Sequence, residues 1–177
     1  MKPANGWPIW KTIQLGINQD TAQEIIDSDP CNHDGRYIEK ASQQRFSIDP
    51  DASVVIKKPE FTLSDTIKDI QLAIVTLSAL GLQDGCRYAD IFAAEKAGLS
   101  LCPAETGLQL RLQYMDQPYK ETLVIAMQPI EDEDGLPSVF TVHHWDWGIG
   151  LGIACCGRSN IEDDWHADSD WVFVVSE

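Results

Sequence analysis

Residues 99–130 read LSLCPAETGLQLRLQYMDQPYKETLVIAMQPI, and their reading decides the fold. Leu108, Leu110, Leu112 and Tyr114 alternate with Gln109, Arg111 and Gln113, the period of two that gives a strand one buried and one wet face. Asp116-Gln117-Pro118-Tyr119 has turn composition, and Leu123, Ile125 and Met127 then alternate with Val124 and Ala126. The pattern predicts a β-hairpin. Its polar face of Gln109, Arg111 and Gln113 offers no acid–base or ligand set, so the hairpin reads as architecture, with Cys102-Pro103-Ala104-Glu105 and the turn setting its register.

Outward from it, Trp7 to Leu15 alternates as an opening strand that Pro8 confines to a sheet edge. Thr21 and Glu24, at capping-box spacing ahead of Ile25 and Ile26, start a short helix that Asp29-Pro30 stops. Asp34 could cap a second helix over residues 35–44, with Tyr37, Ile38 and Ala41 as its apolar positions. Phe46 to Pro59, with two prolines, reads as a loop holding at most one short strand at Val54-Val55-Ile56. Thr66 to Leu80 fits a helix face or a strand: its length and Ser64 as a cap favour the helix, and the β-branched residues of Ile70 to Leu77 favour the strand. Arg87 to Ala97 steps at helical spacing and ends at Gly98. Ser138 to Trp147 and Trp171 to Val175 read as strands, and in Gly148-Ile149-Gly150-Leu151-Gly152-Ile153 glycine strips one face so that a ring or backbone can lie close. The whole predicts one α+β domain over residues 1–177, with a mostly antiparallel meander of about five or six strands and two or three helices in the N-terminal half.

The 44% hydrophobic and 23% charged content excludes a disordered or fibrous chain. The formal charge is −15, and residues 131–177 hold eleven acidic side chains against Arg158 alone. Such a segment repels phosphate backbones and anionic lipid, whose binding needs Lys and Arg, so no direct nucleic-acid or membrane partner is expected. Cys31, Cys86, Cys102, Cys155 and Cys156 are odd in number and without framework spacing, as expected of reduced thiols in a cytoplasm. Residues 1–30 show no signal-peptide pattern.

Chemistry-bearing residues gather in that acidic segment: His143, His144, Trp145, Asp146 and Trp147, then Asp163, Asp164, Trp165, His166, Asp168 and Asp170. Imidazoles with carboxylates suit divalent metals, so a metal-dependent hydrolase built on His143, His144, Asp146 and His166 is one reading. No HExxH, CxxC or DxDxDG pattern supports it. Glu131-Asp132-Glu133-Asp134-Gly135 is too short to seat calcium and reads as a charged hairpin turn. Gly148-x-Gly150-x-Gly152 is followed by cysteine and acid rather than by the helix a dinucleotide needs, and no cofactor is expected. Cys102 would be a nucleophile only if folding brought His143 or His166 beside it.

The chain also resembles an uncharacterised family of small bacterial proteins. The resemblance is carried by Lys11 to Gly16, Leu80-Gly81-Leu82, Gly98-Leu99, Leu101-Cys102-Pro103-Ala104-Glu105, Leu110-Arg111-Leu112-Gln113-Tyr114, Asp116-Gln117-Pro118, Ile125-Ala126-Met127, Pro129-Ile130, Asp134-Gly135, Val139-Phe140 and Trp171-Val172-Phe173-Val174. It implies a strand at Ile70 to Leu77 and brings no activity, cofactor or site residue with it. The function best supported by sequence is therefore protein binding, of an interaction or inhibitor type, through an acidic, tryptophan-rich face. Trp145, Trp147, Asp163, Asp164, Trp165, His166, Asp168 and Asp170 would meet a basic partner there.

Overall fold

The computed structural model describes residues 6–17, 19–27, 38–39, 45–92, 97–156 and 165–176. In chain order these form β1 (Lys11–Leu15), α1 (Gln19–Asp27), β2 (Ile38–Glu39), β3 (Arg45–Ile48), α2 (Pro50–Val55), β4 (Lys68–Thr76), a 3-10 turn (Ser78–Leu80) and α3 (Tyr88–Ile91). Then follow β5 (Leu99–Ser100), α4 (Glu105–Gln113), β6 (Thr122–Ile125), β7 (Ile130–Glu131), β8 (Pro137–Trp145), β9 (Gly148–Cys155) and β10 (Asp170–Val175). The α+β class is as expected, but the sheet is larger. Ten strands run in the order β1-β4-β10-β6-β8-β9-β3-β2, with β5 beside β10 and β7 beside β8. It is also mixed, because β10 pairs parallel with β6, and β3 pairs parallel with β9.

The largest correction falls on residues 99–130. The first arm of the expected hairpin is α4, and of that stretch only Leu99–Ser100, Thr122–Ile125 and Ile130 are in strands. Glu105 through Leu112 are all buried, polar residues included, so no wet face marks the helix and its 3.6-residue period is hidden. The helix packs against β1, β8 and β9. As four strands lie between β1 and β9 in the sheet order, the sheet curls around α4.

Three polar residues make this burial possible. Glu105, Gln109 and Gln113 are spaced by four, so they form one stripe along α4. They meet the free edge of β1, the strand at the end of the sheet. Gln113 accepts from the Gln14 N–H at 2.9 Å and donates to the Gln14 carbonyl at 2.8 Å. Gln109 donates to the Ile17 carbonyl at 2.7 Å. The Glu105 carboxylate accepts the Gly16 N–H at 2.5 Å and the Ser64 N–H at 2.6 Å. Side chains of a helix thus do what a further strand would do, and backbone groups that burial would strand are satisfied. On another side of α4, Gly107 lets the helix approach β8: a β-carbon there would lie 2.7 Å from that of Phe140.

Two smaller corrections follow. Within the helix expected at residues 35–44, Ile38 and Glu39 form β2 against β3, and the rest of that span lies outside the described residues. The loop expected over Phe46 to Pro59 holds the end of β3 and α2, whose Pro50 occupies the first turn, where a missing N–H costs nothing. The strand at Ile70 to Leu77 is found as β4, the opening strand as β1, and the closing strand as β10.

The acidic run at 131–135 is a hairpin turn between β7 and β8. Asp132 accepts the N–H groups of Asp134 at 3.0 Å and Leu136 at 2.9 Å and the Ser138 hydroxyl at 3.2 Å. Burial alone would raise its pKa, but these bonds to the charged form hold it below the ordinary aspartate value.

Glu105→Ala should leave the Gly16 and Ser64 amides without their acceptor and lower stability by about 2–4 kcal/mol, read as a shift of the urea midpoint with unchanged slope. A depressed folded-state pKa means that the Asp132 contribution is present above the unfolded carboxylate pKa and is lost as pH falls through the folded one. Asp132→Asn should therefore cost about 1–2 kcal/mol at neutral pH, and its difference from wild type should shrink as pH drops below about 4.

Candidate functional site

The β8–β9 turn carries the main exposed aromatic cluster. Trp145 closes β8 opposite Gly148, whose φ of 105° suits glycine, and Asp146 and Trp147 form the turn between them. The Trp145 and Trp147 rings stack with centroids 6.5 Å apart and planes 29° apart. The Trp145 indole donates to the Thr122 hydroxyl on β6 at 3.1 Å, which fixes the stack to the sheet. Trp147 remains 52% exposed and Tyr119 53%. The Tyr119 hydroxyl bonds to Asp146, and its ring meets His144 edge-on at 5.7 Å. Lys120 places its ammonium 5.4 Å from the Tyr119 ring centre.

Tyr119 belongs to a loop, residues 114–121, that α4 holds from within. Arg111 is fully buried and donates to the Gln117 side chain at 2.5 Å, to the His143 carbonyl at 3.5 Å and to the Tyr114 carbonyl. Gln117 in turn donates to the Val142 carbonyl at 3.1 Å. Burial lowers the guanidinium pKa to about 10 against the opposing pull of Tyr114 and Glu121, so the charge persists at neutral pH.

Trp165 and Trp171 serve differently. Their rings pack edge to face at 4.8 Å, Trp171 is 0% exposed, and Tyr88 lies 5.9 Å from it. This pair closes the core. Around it, Gly85 donates to the Trp165 carbonyl, the Ala167 N–H donates to Asp84 at 2.7 Å, and Ser78 donates to the Ala167 carbonyl and to Asp168. His166 and Asp168 are exposed, with His166 3.9 Å from Asp84. Asp170 starts β10 half-buried, and desolvation raises its pKa. Asp163 and Asp164 lie outside the described residues. Since β10 and β6 run parallel while β8 runs opposite to both, the start of β10 and the β8–β9 turn sit at the same end of the sheet.

The four groups of the metal reading separate. His143 and His144 are consecutive on β8 and take opposite faces. His144 bonds the Gln117 carbonyl at 2.6 Å, Asp146 bonds Tyr119, and His166 lies by Asp84. Among the described residues no three His, Cys, Asp or Glu side chains are placed to hold a metal ion. His143 instead lies over the glycines of β9. A β-carbon at Gly150 would fall 2.4 Å from its Nε2 and 2.5 Å from the Ser47 hydroxyl, and one at Gly152 would fall 2.6 Å from Asp49. The glycine run therefore gives a ring its place. Burial lowers the His143 pKa, Asp49 opposes and Arg111 adds to the shift, so the imidazole is neutral at pH 7.

Cys102 is buried with its Sγ 3.4 Å from the Val172 carbonyl, and burial pushes its pKa up to about 12. A thiol so held stays protonated and is a poor nucleophile. The sequence reading missed Tyr119, placed there in the turn, and Lys120, and no spacing links them to Trp147; folding alone brings them together.

The chain has no significant match among known protein families, curated proteins or solved structures. The chemistry of the site stands on its geometry.

With the protein folded at neutral pH, iodoacetamide should label the exposed Cys155 and leave Cys102 unmodified until denaturant is added, as read by peptide mass mapping.

Proposed function

We propose that this chain is a protein-binding domain whose docking surface is the aromatic and acidic end of the sheet, and that its partner presents a cationic segment there. The observation that carries this reading is the exposed Trp147 ring, stacked on the half-buried Trp145 beside Asp146 and the exposed Tyr119. Large rings left in water at a turn contribute nothing to the core. Docked against a partner, they supply broad contact area with few rotamers to freeze. Ring faces also attract Lys and Arg, and carboxylates pair with the same groups.

Charge supports the choice of partner. The chain carries −15 overall, and Asp84, Asp146 and Asp168 line this end of the sheet together with the start of β10 at Asp170. Within the set expected from sequence, Trp145 and Trp147 make the contact, while His166, Asp168 and Asp170 form its flank. Trp165 supports them from its packing on Trp171.

Binding of a fluorescein-labelled octa-arginine peptide, followed by anisotropy, tests the reading. Trp147→Ala leaves net charge unchanged, so long-range attraction is constant between the two proteins. Loss of the ring should weaken binding about fivefold or more, whereas equal affinity for wild type and variant would overturn the assignment.

A further inference from the structure

The surface described above already holds a cation. Lys120 is the one non-glycine residue among those described that has a positive φ, at 68°. Side chains with a β-carbon are disfavoured in this region, where glycine or asparagine is the ordinary occupant. Burial does not explain the lysine, since it is exposed. Its backbone N–H donates to the His144 carbonyl at 2.8 Å, which pins the residue beside β8, and its ammonium stands 5.4 Å from the centre of the Tyr119 ring. The same Tyr119 is bonded through its hydroxyl to Asp146. A residue poorly suited to its backbone thus delivers a positive charge to the aromatic and acidic patch.

We infer that Lys120 is a built-in competitor for the docking surface, whose ammonium occupies the Tyr119 face that a partner's arginine takes on binding. The inference rests on the reading of this end as the docking surface, and it narrows the partner. To displace a tethered ammonium, the incoming cation must gain more from the rings than lysine does. Guanidinium meets that condition, because it is planar, stacks on aromatic faces and is less strongly hydrated than an ammonium. The segment recognised is therefore one bearing arginine, and the surface discriminates against lysine because its own lysine already meets that need.

The test compares labelled octa-arginine and octa-lysine peptides on wild type, Lys120→Gln, Lys120→Gly and a control of equal charge change, Lys57→Gln, in the exposed turn that follows α2. Lys120→Gly suits the backbone at a φ of 68°, so it removes the ammonium without straining the loop. Both Lys120 variants should bind octa-arginine about two- to fivefold more tightly than Lys57→Gln does, and the advantage should persist at high salt, where long-range attraction is screened. Wild type should prefer octa-arginine to octa-lysine, and that preference should narrow when Lys120 is removed. Equal affinities of the Lys120 and Lys57 variants at every salt concentration would overturn the competitor role while leaving the docking surface in place. Binding that ignores Trp147 in all of these proteins would instead overturn the docking surface itself.

Discussion

The stripe of Glu105, Gln109 and Gln113 against the backbone of β1 and of Gly16 and Ile17 that follow it is the interaction on which the architecture depends. A helix buried on every side has to dispose of its polar side chains, and an edge strand turned inward has to dispose of its open N–H and C=O groups. Each problem solves the other. Buried amides left unmade cost on the order of 1–3 kcal/mol each, so neither α4 nor β1 would hold its place without its counterpart. The apolar side chains of α4 are then free to pack, Leu108 and Leu110 being fully buried and Gly107 admitting Phe140. Curling of the sheet around α4 follows from the same contact, since β1, at one end of the strand order, and β9, with four strands between them, both reach the helix.

That arrangement also explains what the sequence disclosed. Strand β1 was legible because apolar residues alternate along it, and β4, β8 and β10 because their runs are rich in apolar and β-branched residues. Helix α4 was not, because periodicity measures the contrast between a dry and a wet face, and this helix has no wet face. Leu108, Leu110 and Leu112 then mimic a strand, although the spacing of Glu105, Gln109 and Gln113 at steps of four was a helical signal in plain view. It was overlooked because polar residues are expected to face water. Asp49-Pro50 misled for a related reason: proline was read as a breaker, yet at the first turn of α2 it is a starter.

The site was half legible. Composition drew attention to the tryptophans of the C-terminal segment, and two of them, Trp145 and Trp147, do lie on the surface as a stacked pair. Trp171 sits within a strand whose neighbours Val172 and Phe173 are equally buried, so its pattern was that of core. The pairing of His143 with His144 in one metal site conflicts with strand geometry, which sends successive side chains to opposite faces. Tyr119 could not have been found by any local pattern, because its partnership with Asp146 closes a loop of 27 residues.

Arg111 joins the two halves of this account. It stands on the same helix that anchors β1, yet its guanidinium reaches Gln117, the Tyr114 carbonyl and the His143 carbonyl, which belong to the loop of Tyr119 and to β8. A buried charge facing these neutral acceptors is tolerated because both of its Nη groups donate to oxygens fixed in place by other elements, although its buried Nε–H has no partner among the described residues. The exposed rings consequently rest on a support that is itself part of the core. Loops that carry binding residues are commonly the softest part of a fold, and ordering them weakens the complex. Here the ordering has already been done by folding, so Tyr119 and the Trp145–Trp147 stack are held in position by the core, as the proposed docking role requires. The helix that closes the sheet thereby also prepares the surface at its end.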